Sequence, residues 1–203
     1  MSAKFIDLGC AIFAGMFVMI LHELPKTIVY YMSEKKESRS SLLYALKFQH
    51  YIDPIGLILS IVAYSGFSKP YMYRIKNKKM NLKLGITGFV SLVITFIISS
   101  LILKYYFGIE FGEGGFYYLY KADLIRKTVM MFFFNVAFMS CGMFLVNLFP
   151  IATFDMGNII AGISPVKFYE YLCKDYVMKL IFILIVIFGV IQEMAQIVLS
   201  SLL

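Results

Sequence analysis

Histidine is nearly missing from this chain. Only His22 and His50 occur in 203 residues, so any chemistry that needs imidazole must draw on those two. Charge is sparse as well: 15% of residues are charged against 61% hydrophobic, and the mean hydropathy is +0.81. A soluble domain has too little interior to hide that much apolar side chain, which excludes an ordinary water-soluble enzyme or binding module. The three cysteines, Cys10, Cys141 and Cys173, are too few and too scattered for a disulfide framework, and none forms a C-x-x-C pair. No repeat or low-complexity tract is visible. Lys4 is the one positive charge ahead of the first apolar run and no small-residue cleavage site follows, which argues against a removable signal peptide.

What remains is a chain built for a bilayer. Long runs without period-2 alternation rule out a barrel, and backbone groups in hydrocarbon must then be satisfied within helices. Residues 5–31, 84–103, 128–148 and 178–203 each approach the roughly 20 residues that a crossing needs. Residues 52–67 and 151–163 are shorter and suit partial or re-entrant segments. The expectation is an all-α polytopic membrane protein with about six hydrophobic segments, four full spans and two short ones, in a single membrane-embedded domain over 1–203. The net charge of +7 sits between the spans instead of along one soluble face, so it reports topology and not nucleic-acid binding. Lys69, Arg74, Lys76, Lys78, Lys79 and Lys83 fall between Ser68 and Lys83 with no acid among them, which places that connection in the cytoplasm. The glycine- and tyrosine-rich stretch from Tyr105 to Leu124 then lies on the far side, and Pro165 to Lys179 has the spacing of a helix lying at the interface.

Ionisable residues inside a span mark functional sites by default. His22 and Glu23 lie deep in the first span and continue as Leu24-Pro25-Lys26, the metal-binding H-E-x-x-H pattern with lysine at its last position. On a helix, positions 22 and 26 share a face, and an ammonium at the second has no lone pair for a metal. Pro25 removes a backbone donor and predicts a kink beside His22. A second element runs from Asn147 through Pro150 to Asp155 and Gly157, with a carboxylate placed as ligand, counter-ion or helix cap just beyond an apolar span. Asp53-Pro54 reads as a helix start.

Taken in order, His22-Glu23, then His50-Tyr51-Ile52-Asp53-Pro54-Ile55-Gly56, then Gly66-Phe67-Ser68-Lys69-Pro70, then Asn147 through Gly157 resemble the signature blocks of the site-2 protease family. Members are intramembrane zinc metalloproteases that cut membrane-spanning or membrane-proximal segments, and the resemblance implies a six-helix-type core. It also implies His22 as first zinc ligand, Glu23 as general base, Lys26 at the second ligand position and Asp155 as third ligand. His50, Asp53, Asn147 and Pro150 fall in supporting positions. Lys69, Pro70, Tyr71 and Tyr73 correspond to a substrate-binding edge, with a short β-hairpin admitted near 68–78, that pairs with an unwound client by strand addition. The sequence departs from the family at three places: Lys26, the absent Pro and Asn of the G-P-x-x-N block at Gly88 to Leu92, and Met156 after the aspartate.

The expected function is a zinc-deficient homologue, a pseudoprotease that binds or regulates transmembrane clients, with zinc weakly held or absent and Lys26 paired to Asp155 or Glu23. The first alternative is an active intramembrane zinc metalloprotease using Glu23 as general base. The second is a small ion or proton transporter, for which no inverted repeat speaks. The expected location is a bacterial cytoplasmic membrane, with the site near the cytoplasmic side.

Overall fold

A computed structural model describes residues 2–33, 47–64, 66–69, 77–108 and 124–202. Helices account for nearly all of them, and no strand occurs among the described residues. Helix α1 covers Ser2–Ser33 and runs unbroken through Pro25. A 3-10 turn, Phe48–Tyr51, leads to α2, Pro54–Ala63. Helix α3, Lys78–Leu101, continues into a π turn at Ile102–Tyr106, and α4 covers Leu124–Asn147. After a turn come α5 (Asp155–Ile163), α6 (Pro165–Cys173), α7 (Asp175–Ile187) and α8 (Val190–Leu202).

Three helical stretches, Phe5–Ser33, Lys78–Tyr106 and Leu124–Asn147, are long and apolar enough to cross a membrane. The span expected over 178–203 is two helices, α7 and α8, bent by 61° at their junction; counted as one they bring the candidate spans to four. The physical reason is local. Gly189 adopts φ +70°, a left-handed step that ends α7, and composition alone does not register it. The two short segments hold α2 and α5, 10 and 9 residues long, so neither crosses. The hairpin expected near 68–78 falls mostly on 70–76, outside the described residues. Helix α6 buries none of its residues and exposes Val166, Tyr169 and Leu172, as an interface helix would.

Helices α1, α3 and α4 pack mutually around Ala14, Val18, Met19, Leu92, Val136, Met139 and Met143. A second cluster joins Leu103 and Phe107, in and just after the π turn, and α4 residues such as Ala137 and Phe138 to Ala195 and Leu199 of α8, and a third surrounds Val146, Ile151, Phe154 and Phe182. Outward-facing apolar side chains such as Phe13, Val90, Ile94 and Ile98 continue along α1 and α3, a surface suited to lipid and costly in water. Two short elements dock on this bundle: α2 on α1, and α5 on α3. Helix α2 packs against α1 near Gly15, and α5 reaches His22 and Lys26 of α1 through the Asp155 side chain.

The chain makes α2 as the Asp53-Pro54 pair predicts. Asp53 accepts hydrogen bonds from the amides of Ile55 and Gly56, both at 2.9 Å, and Pro54 occupies the first turn, where no donor is needed. Tyr64 closes the helix in a left-handed conformation at φ 49°, held by an edge-on contact with Phe138 at 4.4 Å between ring centres. The following residues lie directly on α2: a Cβ at Gly66 would stand 1.6 Å from Ser60 Oγ, so only glycine lets the chain pass there and bring Ser68 inward.

Candidate functional site

Four ionisable side chains converge between α1 and α5 and are sealed from solvent: His22, Glu23 and Asp155 are each 1% exposed and Lys26 is 3% exposed. Three come from one helix face, at i, i+1 and i+4 of α1, and the fourth opens α5. The Lys26 ammonium donates to Glu23 Oε1 at 2.6 Å and to Asp155 Oδ1 at 3.0 Å, and stands 3.4 Å from His22 Nε2. His22 Nε2 meets the other oxygen of Asp155, Oδ2, at 2.6 Å. Lysine thus occupies the middle of the constellation.

Ser68 closes the ring. Its hydroxyl donates to Glu23 Oε1 at 2.7 Å and lies 2.7 Å from His22 Nδ1. With that single proton given to Glu23, the ring nitrogen must donate in turn, so the hydrogen-bond pattern assigns a proton to both nitrogens of His22. Two cations then face two carboxylates. Such balance matters in a low-dielectric interior, where an unpaired charge costs several kcal/mol. One acceptor, Glu23 Oε2, is buried without a hydrogen-bond partner among the described residues.

Asp155 reaches the cluster because of what opposes it on α3. A Cβ built at Gly88 would lie 2.1 Å from Asp155 Oδ2, 2.5 Å from Cγ and 2.6 Å from Oδ1, so the carboxylate rests flat against bare backbone. Asn147 orients the same residue from behind: its side chain donates to Met143 O at 2.9 Å and accepts from the Asp155 amide at 3.2 Å, which satisfies one of the free donors opening α5. Pro150 sits at the centre of a tight turn, with the Ile151 amide donating to Phe149 O at 2.8 Å, and its fixed φ suits that turn.

Of the residues singled out from the sequence, the structure brings together His22, Glu23, Lys26 and Asp155, with Asn147 one step behind. Asp53 caps α2, and His50 lies in the adjoining 3-10 turn. That turn is fixed to α1 by Tyr51, whose hydroxyl donates to Thr27 Oγ1 at 2.9 Å and whose carbonyl accepts from the Lys69 amide at 3.0 Å. The Lys69 side chain is exposed; Pro70, Tyr71 and Tyr73 lie outside the described residues. Sequence reasoning gave no role to Ser68 or Gly88. The available signal was their membership of the Gly66–Pro70 and Gly88–Leu92 blocks. Among the described residues, no group of three or more His, Cys, Asp or Glu is arranged to hold a metal ion.

Beside the cluster, an apolar groove of about 440 Å³ runs between α1 and α3 over α4, lined by Leu21 and Pro25 on one wall and Ser91 and Thr95 on the other. The Ser91 hydroxyl lies 3.5 Å from His22 O and donates to Gly88 O at 2.7 Å. Compared with known proteins, the chain matches no family model, no curated protein and no solved structure.

Proposed function

We propose that this protein is a metal-free relative of the site-2 proteases that binds a transmembrane segment of a client protein without cutting it. The observation that carries the reading is the position of Lys26 Nζ, in hydrogen-bonding contact with both Glu23 and Asp155. Two donor atoms sharing one tetrahedral zinc stand about 3.3 Å apart, given metal–ligand bonds of roughly 2.0–2.1 Å. His22 Nε2 and Asp155 Oδ2 are 2.6 Å apart, in direct hydrogen bond, and the space beside them holds an amine. The residues present therefore suit an ammonium better than zinc.

Several features support the kinship: His22, Glu23, Ser68 and Asp155, drawn from three of the blocks that resemble the family, meet at one buried point, and Tyr51 of the remaining block is bound to Thr27 beside it. The groove between α1 and α3 offers an apolar surface for a client helix at the same depth. The basic residues after Ser68 in the sequence favour a cluster near the cytoplasmic side by the positive-inside tendency, and the family resemblance at Lys69, Pro70, Tyr71 and Tyr73 favours client binding there by strand addition.

Elemental analysis of detergent-purified protein tests the reading. Wild type is expected to carry no zinc, and Lys26→His, which completes the two-histidine pattern, to bind it at close to one per chain. Stoichiometric zinc in wild type would sink the proposal and favour the active protease. In that case Glu23→Gln should abolish client cleavage, whereas a binding protein keeps its client association in the same variant.

A further inference from the structure

We propose that Lys26 and Asp155 condense into an intramolecular amide that covalently ties α1 to α5. The inference rests on the metal-free reading of the cluster, since zinc at this point would keep the two groups apart. The geometry supplies each requirement of the reaction. The reacting groups touch, Nζ to Oδ1 at 3.0 Å, and are shielded from bulk water. An acceptor for the proton that the ammonium must lose, Glu23 Oε1, lies 2.6 Å from Nζ. A donor for the oxygen that must leave, His22 Nε2, lies 2.6 Å from Oδ2. Gly88 backs the carboxylate with main chain, so Asp155 is held in place against the amine, and holding two reactants in contact removes most of the entropic barrier to their union.

The step balances without any outside reagent. One ammonium proton passes to Glu23, and His22 gives a proton to Oδ2. The lone pair freed on Nζ forms the Nζ–Cγ bond. The Cγ–Oδ2 bond breaks, and Oδ2 departs as water, taking its second hydrogen from the nitrogen. The proton held by Glu23 returns to the imidazole, so both helpers end as they began. An ammonium and a carboxylate are replaced by a neutral amide and one water. Removing a pair of buried charges from a low-dielectric site is the driving force, because each ion is penalised there more heavily than a neutral amide.

Intact mass measured on the denatured, detergent-purified full chain gives the test. The wild type is expected to be lighter than its sequence mass by one water, and after tryptic digestion the peptide containing Lys26 should remain joined to the peptide containing Asp155. Lys26→Arg and Asp155→Ala should each return to full mass, and Glu23→Gln should slow the conversion so that unlinked chain accumulates. Wild-type protein at full mass overturns the proposal, as does a water loss that persists in Lys26→Arg, which would mark an imide elsewhere. Zinc content measured on the same sample separates the two readings: zinc-free protein at full mass defeats only the cross-link, and stoichiometric zinc defeats the metal-free site itself.

Discussion

At the scale of the residue, Lys26 decides the character of the site. Replacing it by Met keeps the length of the side chain and removes the nitrogen that holds both Glu23 and Asp155, by ion pairing before condensation and by the amide after it. Leaving a buried carboxylate unpaired costs about 3–5 kcal/mol, so Lys26→Met should lower the midpoint of thermal unfolding in detergent markedly, while a midpoint within error of wild type would mean that the Lys26 nitrogen carries no weight there. Gly88 is the less visible partner. A methyl group at that position cannot coexist with Asp155 in its present place. Adding Gly88→Ala to Lys26→His is therefore expected to abolish the zinc uptake of the single variant, read by the same elemental analysis, at a stability cost of about 1–3 kcal/mol from overpacking. Zinc retained in the double variant would show that Asp155 is not a ligand. His22, Glu23 and Lys26 were legible from spacing alone, because a helix places those offsets on one face. Gly88 was not, since a glycine in an apolar helix looks the same whether it packs on a carboxylate 67 positions away or on nothing.

At the scale of the element, short segments deliver long-range contacts. Helix α2 is too short to cross a bilayer, yet its close packing with Gly66 brings Ser68 to both His22 and Glu23. Helix α5 is shorter still and contributes Asp155 through its first residue. Run length distinguished these two from the full spans in the sequence, which is why their partial nature was readable. What each would contribute was not, because a serine after a glycine has no periodic partner to announce it. The same limit explains α7 and α8: hydropathy averages over the bend at Gly189 and reports a single span. Ser68→Ala removes a donor from Glu23 and a partner from His22, an unsatisfied-group cost of about 1–3 kcal/mol. The expected signature is local, with faster amide exchange over residues 66–69 and little change in the middle of α1. Uniformly faster exchange would instead make Ser68 part of the global core.

At the scale of the whole molecule, the positions of the basic residues predict an orientation of the bundle. Lys78, Lys79 and Lys83 begin α3, and Lys69 follows Ser68 in the chain, so the cationic end of α3 and the loop that closes the cluster are consecutive parts of one connection. Cytoplasmic loops hold such excesses because lysine and arginine resist translocation. Lys79 is exposed at the first turn of α3, with its amide bound to Asn77, so a cysteine there leaves the helix start intact. Cys10 and Cys141 are buried and Cys173 is exposed, so Cys173→Ser gives a quiet background. In that background Lys79→Cys should react with a membrane-impermeant maleimide in inside-out vesicles and stay unlabelled in intact cells. Labelling in intact cells would turn the bundle over. It would leave the packing of α1, α3 and α5 untouched, but the cluster would then lie toward the opposite compartment.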